Sequence, residues 1–326
     1  PEPGHHKAQP EGVSPGGDYV VDTYSTVSSP PRSVLRRVWE KDDGVMLEEA
    51  DVAALGESGW QPPRRVRVAA ADGKTDLYAV LFEPYGKWAD GDKRPVIDFN
   101  YINSIAAIAP LSFTDAFGVF HVESLRHLGF YVVVVDGRGT PYRSRDFREA
   151  GYPVFYDIQV EDHVAAIEQL ADRFPGMDID RVGIWGSSNG GAGAARAILR
   201  RPDFFKVAVS SAGSHDYMSL PPSGVKYFGI PVYADGTAVR PSPAAAPDNY
   251  LGFDNAALAA NLQGHLLLAY GDLDHYALPA TTHRLVNALI TAGKTFDVLP
   301  MLNHGHFFLY DPYFKKRLVE YFVEHL

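Results

Sequence analysis

The sequence predicts an α/β fold built on a doubly wound, mostly parallel sheet. Three observations carry that reading: near-continuous apolar runs, helical stripes between them, and a glycine-rich turn where one run meets the next helix. The apolar runs are Pro95 to Phe99, Tyr131 to Val135, Val182 to Trp185, Val207 to Val209, Leu266 to Ala269 and Phe296 to Leu299. Strands apolar at successive positions suit a sheet covered on both faces. Between two of them, Val160, Val164, Ile167 and Ala171 recur at i, i+4, i+7 and i+11, the buried stripe of an amphipathic helix. Pro279 opens a second helix that Gly293 closes. Asp311-Pro312 forms an N-cap and first turn for the last helix, whose apolar face is Phe314, Leu318, Tyr321 and Phe322.

The first sixty residues read differently. Pro1 to Gly17, rich in Pro, Gly and His, suits a loop or a fraying end. Strand-like runs follow at Tyr19 to Ser25 and Ser33 to Trp39, then a turn at Asp42-Asp43-Gly44 leads into Val45-Met46-Leu47. Beyond Pro62-Pro63, the runs Val66 to Ala70 and Leu77 to Glu83 flank Asp72-Gly73, a hairpin signal. The chain therefore divides into an N-terminal β segment, 1–60, and an α/β unit, 61–326. Within the latter, Tyr217 to Asp254 is rich in Pro, Gly and Ala and reads as a long excursion that walls a pocket.

Bulk properties narrow the function. With 40 acidic against 30 basic residues the net charge is −10, which argues against a phosphate-binding face and hence a nucleic-acid partner. The absence of cysteine removes disulfides and thiolate-held metals. The longest apolar stretch, Phe130 to Val135, is far too short to span a bilayer. His5 and His6 are expected to be solvated, as are Glu48 and Glu49. The chain begins Pro1-Glu2-Pro3, which reads as a trimmed piece of something longer.

The chemistry centres on Gly183-Ile184-Trp185-Gly186-Ser187-Ser188-Asn189-Gly190-Gly191. It holds G-x-S-x-G as Gly186, Ser188 and Gly190, after a strand and before the helix-competent Ala192 to Ala197. A nucleophile on a sharp strand-to-helix turn has a strained backbone, and small neighbours let the turn pack on the sheet. Ser188, not Ser187, has the flanking glycines. A serine hydroxyl needs a base and an orienting carboxylate, and on an α/β-hydrolase sheet the chain order is Ser, acid, His. The turn Gly271-Asp272-Leu273-Asp274-His275 offers Asp272 and Asp274; Asn303-His304-Gly305-His306-Phe307 offers two histidines. Spacing does not choose between them. The H-x-H spacing also fits a metal pair, but no acidic or cysteine partner stands beside it, so no metal or cofactor is expected. The backbone N–H of Asn189 is the expected first oxyanion donor, and Tyr101, just past a strand, has a hydroxyl that can supply a second.

From about Pro63 to Leu326 these residues resemble the catalytic domain of the prolyl oligopeptidase family, in its bacterial dipeptidyl peptidase IV-like branch. The matching stretches are Pro95 to Asp98 with Tyr101, Val135 to Pro141, Arg181 to Gly186, Pro202 to Gly213 and Asp311 to Phe314. The resemblance implies an α/β-hydrolase fold and a serine peptidase cleaving small peptides through a Ser188 acyl-enzyme. The family's G-x-x-D places the acid at Asp274. Reading without gaps from Phe296 forward and from Asp311 backward places the histidine at His306. Tyr101 takes the position of the family's oxyanion tyrosine. The start of the chain resembles the end of a β-propeller, which implies contact with preceding blades or a second subunit and a periplasmic or secreted setting. Three departures touch the substrate pocket: Ile102-Asn103-Ser104 replaces a Gly- and Pro-rich run, Tyr276 replaces an asparagine near the substrate carbonyl, and Ser223 and Gly224 stand where pocket-shaping residues belong. A rebuilt pocket keeps an ester or a non-peptide amide open as substrate, and a non-catalytic hydrolase-fold binding protein remains a third reading.

Overall fold

The computed structural model describes residues 4–40, 44–86, 89, 91–152, 155–217, 230 and 248–326. Two sheets organise them. The smaller is an antiparallel meander in chain order: β1 (His5–Val13), β2 (Tyr19–Ser25), β3 (Arg32–Arg37) and β4 (Val45–Glu49). The expected loop over Pro1 to Gly17 is thus a strand for most of its described length. Its composition is unfavourable, but β1 sits at the edge of the sheet, where Pro10 has fewer ladder bonds to break, and its register with β2 shifts between Ala8 and Val13. His6 is also not simply solvated. Its Nδ1 lies 2.9 Å from Asp22, which accepts from Arg36 at 2.9 Å as well, and its ring stacks on Tyr24. Glu48 and Glu49 are exposed as expected, Glu49 pairing with Arg32 at 2.8 Å.

The larger sheet contains β5 (Arg64–Ala69), β6 (Asp76–Phe82), β7 (Arg94–Phe99), β8 (Tyr131–Val135), β9 (Met177–Ser187), β10 (Phe205–Ser211), β11 (His265–Gly271) and β12 (Asp297–Met301). Their order is β5-β6-β8-β7-β9-β10-β11-β12. β6 runs antiparallel to both of its neighbours, and all the other pairings are parallel. The hairpin at Asp72-Gly73 forms as predicted, with Gly73 at φ 72°, a left-handed conformation that suits glycine.

Both faces of this sheet are covered, which is why its strands read as unbroken apolar runs. Along β8, Val133 and Val135 point into one core and Val132 and Val134 into the other. The first core receives Val160, Val164 and Ile167 of α5 (Phe155–Arg173), Ala194 and Ile198 of α6 (Asn189–Arg200), and Leu285 and Leu289 of α7 (Pro279–Thr291). The second receives Phe314, Leu318, Tyr321 and Phe322 of α8 (Pro312–His325). Each such side chain contributes about 1.5–3 kcal/mol on burial. The Asp311 carboxylate caps α8, accepting from the Tyr313 N–H at 2.7 Å. Four short helices went unread in the sequence, α1 (Ala53–Glu57), α2 (Phe113–Phe117), α3 (Val122–His127) and α4 (Arg145–Glu149), each too brief to show a period. The small sheet is tied to this unit through Val27, buried in the second core, and through Ser25 Oγ, which accepts from the Phe113 N–H at 3.2 Å.

Candidate active site

The turn between β9 and α6 carries Ser188 in a conformation that non-glycine residues avoid, φ 60° and ψ −123°. Holding it there costs about 1–3 kcal/mol, and the surroundings show what compensates. The Ser188 N–H donates to Ser211 O at 2.9 Å, and Ser188 O accepts from the Ala192 N–H at 3.0 Å. The glycines of G-x-S-x-G are required by close approach. A Cβ on Gly186 would stand 2.5 Å from Asn100 O and 2.6 Å from the Gly190 carbonyl carbon, and one on Gly190 would strike Asn100 O. The motif therefore does two things: it bends the chain at Ser188, and it draws the end of β7 against the bend.

Asp274 and His306 come from the next strands out. Asp274 follows β11 and His306 follows β12, and the two loops cross at Gly271. There a side chain would collide with the carbonyls of His304 and Gly305. The Leu273 N–H donates to His304 O at 3.0 Å, fixing that crossing. In this frame His306 Nδ1–H donates to Asp274 Oδ2 at 2.7 Å, with both side chains buried. Burial pushes the Asp274 carboxyl up. The bond from His306 and the N–H groups of Ala277 and Tyr276 outweigh it and hold the acid below its ordinary value. An ionised Asp274 accepts only, so the imidazole carries its proton on Nδ1 and leaves Nε2 as the free base. His304 sits elsewhere. Its Nδ1 meets Leu302 O at 2.9 Å and its Nε2 meets Asp311 at 3.3 Å, at the mouth of α8. Asp272 does not contact either histidine ring through a hydrogen bond, whereas Asp274 does. No hydrogen bond within 3.5 Å joins Ser188 Oγ to His306 among the described residues.

Tyr101 lies beside the elbow because Gly190 packs on it: the position of a Gly190 Cβ is 3.2 Å from Tyr101 Cα. The loop that carries Tyr101 is harnessed by three amide side chains, of which the sequence marked only Asn103, as a departure in the pocket. Asn100 donates from Nδ2 to Trp185 O at 3.0 Å and accepts from the Ile102 N–H at 3.2 Å. Asn103 bonds Tyr101 O through Nδ2 and accepts from the Ile105 and Ala106 N–H groups. Gln159 of α5 brackets Asn103, accepting from its N–H at 3.2 Å and donating to its carbonyl at 2.7 Å. Fifty-six residues separate that pair, so no local pattern reveals it. Asn189 begins α6, where the first N–H groups have no partner in the helix. Its side chain accepts from the Tyr217 hydroxyl at 2.6 Å.

Of the expected pocket residues, Tyr276 is brought to the site: its ring centroid is 5.2 Å from that of His306, and 59% of its surface is exposed. Ser223 and Gly224, and most of the excursion Tyr217 to Asp254, lie outside the described residues. Two further buried histidines stand apart from the Asp274–His306 pair. His163 of α5 meets Asp98 of β7 at 2.7 Å, and the carboxylates of Asp98, Asp162 and Asp136 overcome desolvation to raise its pKa. His215 has its pKa lowered to about 3 by burial and is neutral.

A parallel sheet with one antiparallel strand near its edge, a strained serine elbow after a central strand, and an acid and histidine after the last two strands define an α/β-hydrolase. The model of the prolyl oligopeptidase family, Peptidase_S9, matches residues 116–326, and the chain belongs to that family. It is 27% identical over 302 residues to human dipeptidyl peptidase 8, covering 90% of this chain and 32% of the relative. Dipeptidyl peptidase 4 of Trichophyton rubrum is 29% identical over 225 residues, covering 68% of this chain and 25% of the relative. The chain thus spans about a third or less of the length of these curated relatives. Among solved structures, a candidate dipeptidyl aminopeptidase IV from Bacteroides ovatus superposes with TM-score 0.80 at 24% identity, over 100% of this chain and 44% of the other. Dipeptidyl peptidase 4 of Porphyromonas gingivalis gives 0.73 at 22%, over 99% and 44%. These two likenesses concern the fold, including the small N-terminal sheet. No helix among the described residues is long and apolar enough to cross a membrane.

Proposed function

We propose that this chain is the catalytic part of a serine peptidase that cleaves small peptides through a Ser188 acyl-enzyme. The observation that carries the proposal is the 2.7 Å bond between His306 and Asp274, formed across two loops on the same end of the sheet as a strained Ser188. In this reading Ser188 Oγ attacks the scissile carbonyl carbon while its proton passes to His306 Nε2. Asp274 holds the imidazole in the required tautomer and faces the positive charge that forms. The negative oxygen of the tetrahedral intermediate accepts from the Asn189 N–H and from the Tyr101 hydroxyl. Collapse breaks the C–N bond, and His306 delivers the proton to the departing amine. Water, activated by the same histidine, then attacks the ester and frees Ser188.

The fold-level likeness and the four-stranded meander support reading residues 1–60 as the end of a propeller that packs on the catalytic unit, residues 61–326. Preceding blades or a second subunit are its partners in that arrangement. A periplasmic or secreted setting belongs to the same proposal, and cell fractionation tests it.

The test is labelling by a fluorophosphonate probe in parallel with hydrolysis of a dipeptide anilide and of the matching ester. Labelling lost in Ser188→Ala and His306→Ala, with the anilide turned over, supports the peptidase. Ester turnover alone moves the reaction to another acyl compound, and a folded chain that never labels sinks the catalytic reading.

A further inference from the structure

Beyond Tyr101, among residues of β5, β6 and the loops after β7 and β8, opens a cavity of about 1170 Å³ whose lining does not include Ser188. One wall is apolar and prebuilt. It is the run Ala106 to Pro110 with Val119 and Phe120 behind it. The backbone of this run is fixed by two side-chain acceptors: Asn103, buried, accepts from the Ala106 N–H, and Asp136, half-buried, accepts from the Ile108 N–H at 2.8 Å and the Ala109 N–H at 3.1 Å. Both oxygens of Asp136 are thereby engaged in holding the wall.

The other wall is cationic. Arg65 and Arg143 lie over the Tyr78 ring, their guanidinium carbons 4.6 and 5.3 Å from its centroid, and Arg143 also covers Phe147 at 4.0 Å. Stacking orients these guanidinium groups without neutralising them. Among the described residues the Arg65 side chain makes no hydrogen bond or ion pair and feels Asp136 only through longer-range attraction, and the Arg143 side chain donates only to the Asp76 carbonyl. The remaining acid of the cavity, Asp115, is engaged at the helix start, where its Oδ2 accepts from the Ser112 N–H at 3.1 Å. A guanidinium fork with no hydrogen-bonded carboxylate keeps N–H donors free for one.

We propose that this cavity is a subsite for a carboxylate-bearing residue of the substrate, its carboxylate held by Arg65 and Arg143 beside Tyr78 while its apolar atoms lie on the Ala106–Pro110 wall. The inference rests on the acyl-enzyme reading of Ser188, since Tyr101 is the wall shared by the two regions. It adds the substrate class: short peptides whose free C-terminal carboxylate, or an acidic side chain, reaches the arginines.

Binding to Ser188→Ala protein tests it independently of turnover. Calorimetry with Ala-Ala-Leu as free acid and as C-terminal amide reads the carboxylate, and Ala-Ala-Glu amide reads an acidic side chain instead. The expected result is roughly tenfold tighter binding of whichever carboxylate source is recognised than of the Ala-Ala-Leu amide, the size of one charge-assisted hydrogen bond. That preference disappears in Arg65→Gln/Arg143→Gln and is retained in part by Arg65→Lys. Equal binding of acids and amide, no binding of any, or a preference that survives the double substitution overturns the subsite. Fluorophosphonate labelling of the unaltered chain reports separately on Ser188, so a failed subsite and a failed nucleophile are told apart.

Discussion

His306 Nδ1 stands 2.7 Å from Asp274 Oδ2, while His304, two residues earlier, turns to Leu302 and Asp311. The two histidines of one loop therefore belong to different machinery. His306→Ala is expected to lower kcat/KM for an anilide by roughly 10⁴-fold or more, and His304→Ala to stay within roughly threefold of the unaltered chain. Steady-state kinetics of both variants decides between them. A loss confined to His304→Ala would reverse the assignment.

Asp274→Asn retains the shape of the site and removes the charge that faces the imidazolium. A fall in kcat of about 10⁴-fold is expected, with little change in KM. The same carboxylate contributes to stability. Its pKa is lower in the folded chain than the ordinary 3.8, so the contribution is present above that value and is lost as pH falls through the lower folded value. Acid unfolding followed by circular dichroism is expected to lose that component in Asp274→Asn.

Tyr101→Phe removes a hydroxyl and keeps the ring packed beside Gly190. The expected loss is roughly 10²-fold in kcat, with the thermal midpoint unchanged. An unchanged kcat would remove Tyr101 from the oxyanion hole and leave Asn189 N–H without that partner.

Gly190→Ala drives a methyl into Asn100 O at the elbow. Overpacking against backbone has no flexible neighbour to relieve it, and a loss of about 3 kcal/mol or more is expected in urea unfolding. Gly73→Ala, in open space at the hairpin, costs only its strained φ, about 1 kcal/mol. Comparable losses at both positions would mean that the elbow is not tightly packed.

His163 sits fully buried beside Asp98, with Asp162 and Asp136 also acting on it. Its pKa is raised in the folded chain. Its contribution to stability is therefore complete below the ordinary value of 6.5 and is lost as pH rises through the folded value. Urea midpoints measured from about pH 6 to about pH 9 are expected to decline in the unaltered chain and to decline less in His163→Gln.

The doubly wound sheet was legible because its central strands are buried on both faces and so wrote apolar runs, while the edge strands β5 and β12 are mostly exposed. Ser188 was legible for the same kind of reason. The close approach of Asn100 to Gly186 and Gly190 forces glycine at fixed spacing, and local sterics leave a local pattern. The strand β1 was hidden because its partner, not its composition, holds it in place: Pro10 and Gly12 speak for a loop until β2 supplies the hydrogen bonds. His6 was misread likewise, since Asp22 lies sixteen residues away.

What the sequence by itself determined is the order of the main strands and helices of the α/β unit, a candidate nucleophile and two short lists, one of acids and one of histidines. Choosing within those lists needed either a family resemblance or the tertiary structure, because Asp272 and Asp274, like His304 and His306, are equivalent by local chemistry. The fold separates each pair by side-chain partner: Asp274 meets His306 at 2.7 Å, whereas His304 turns to Leu302 and Asp311. It alone assembled the amide harness of Asn100, Asn103 and Gln159 around Tyr101, and the two arginines on Tyr78. Such contacts join residues far apart in the chain, and hydrogen bonds and charges of that kind leave no period for a sequence to display.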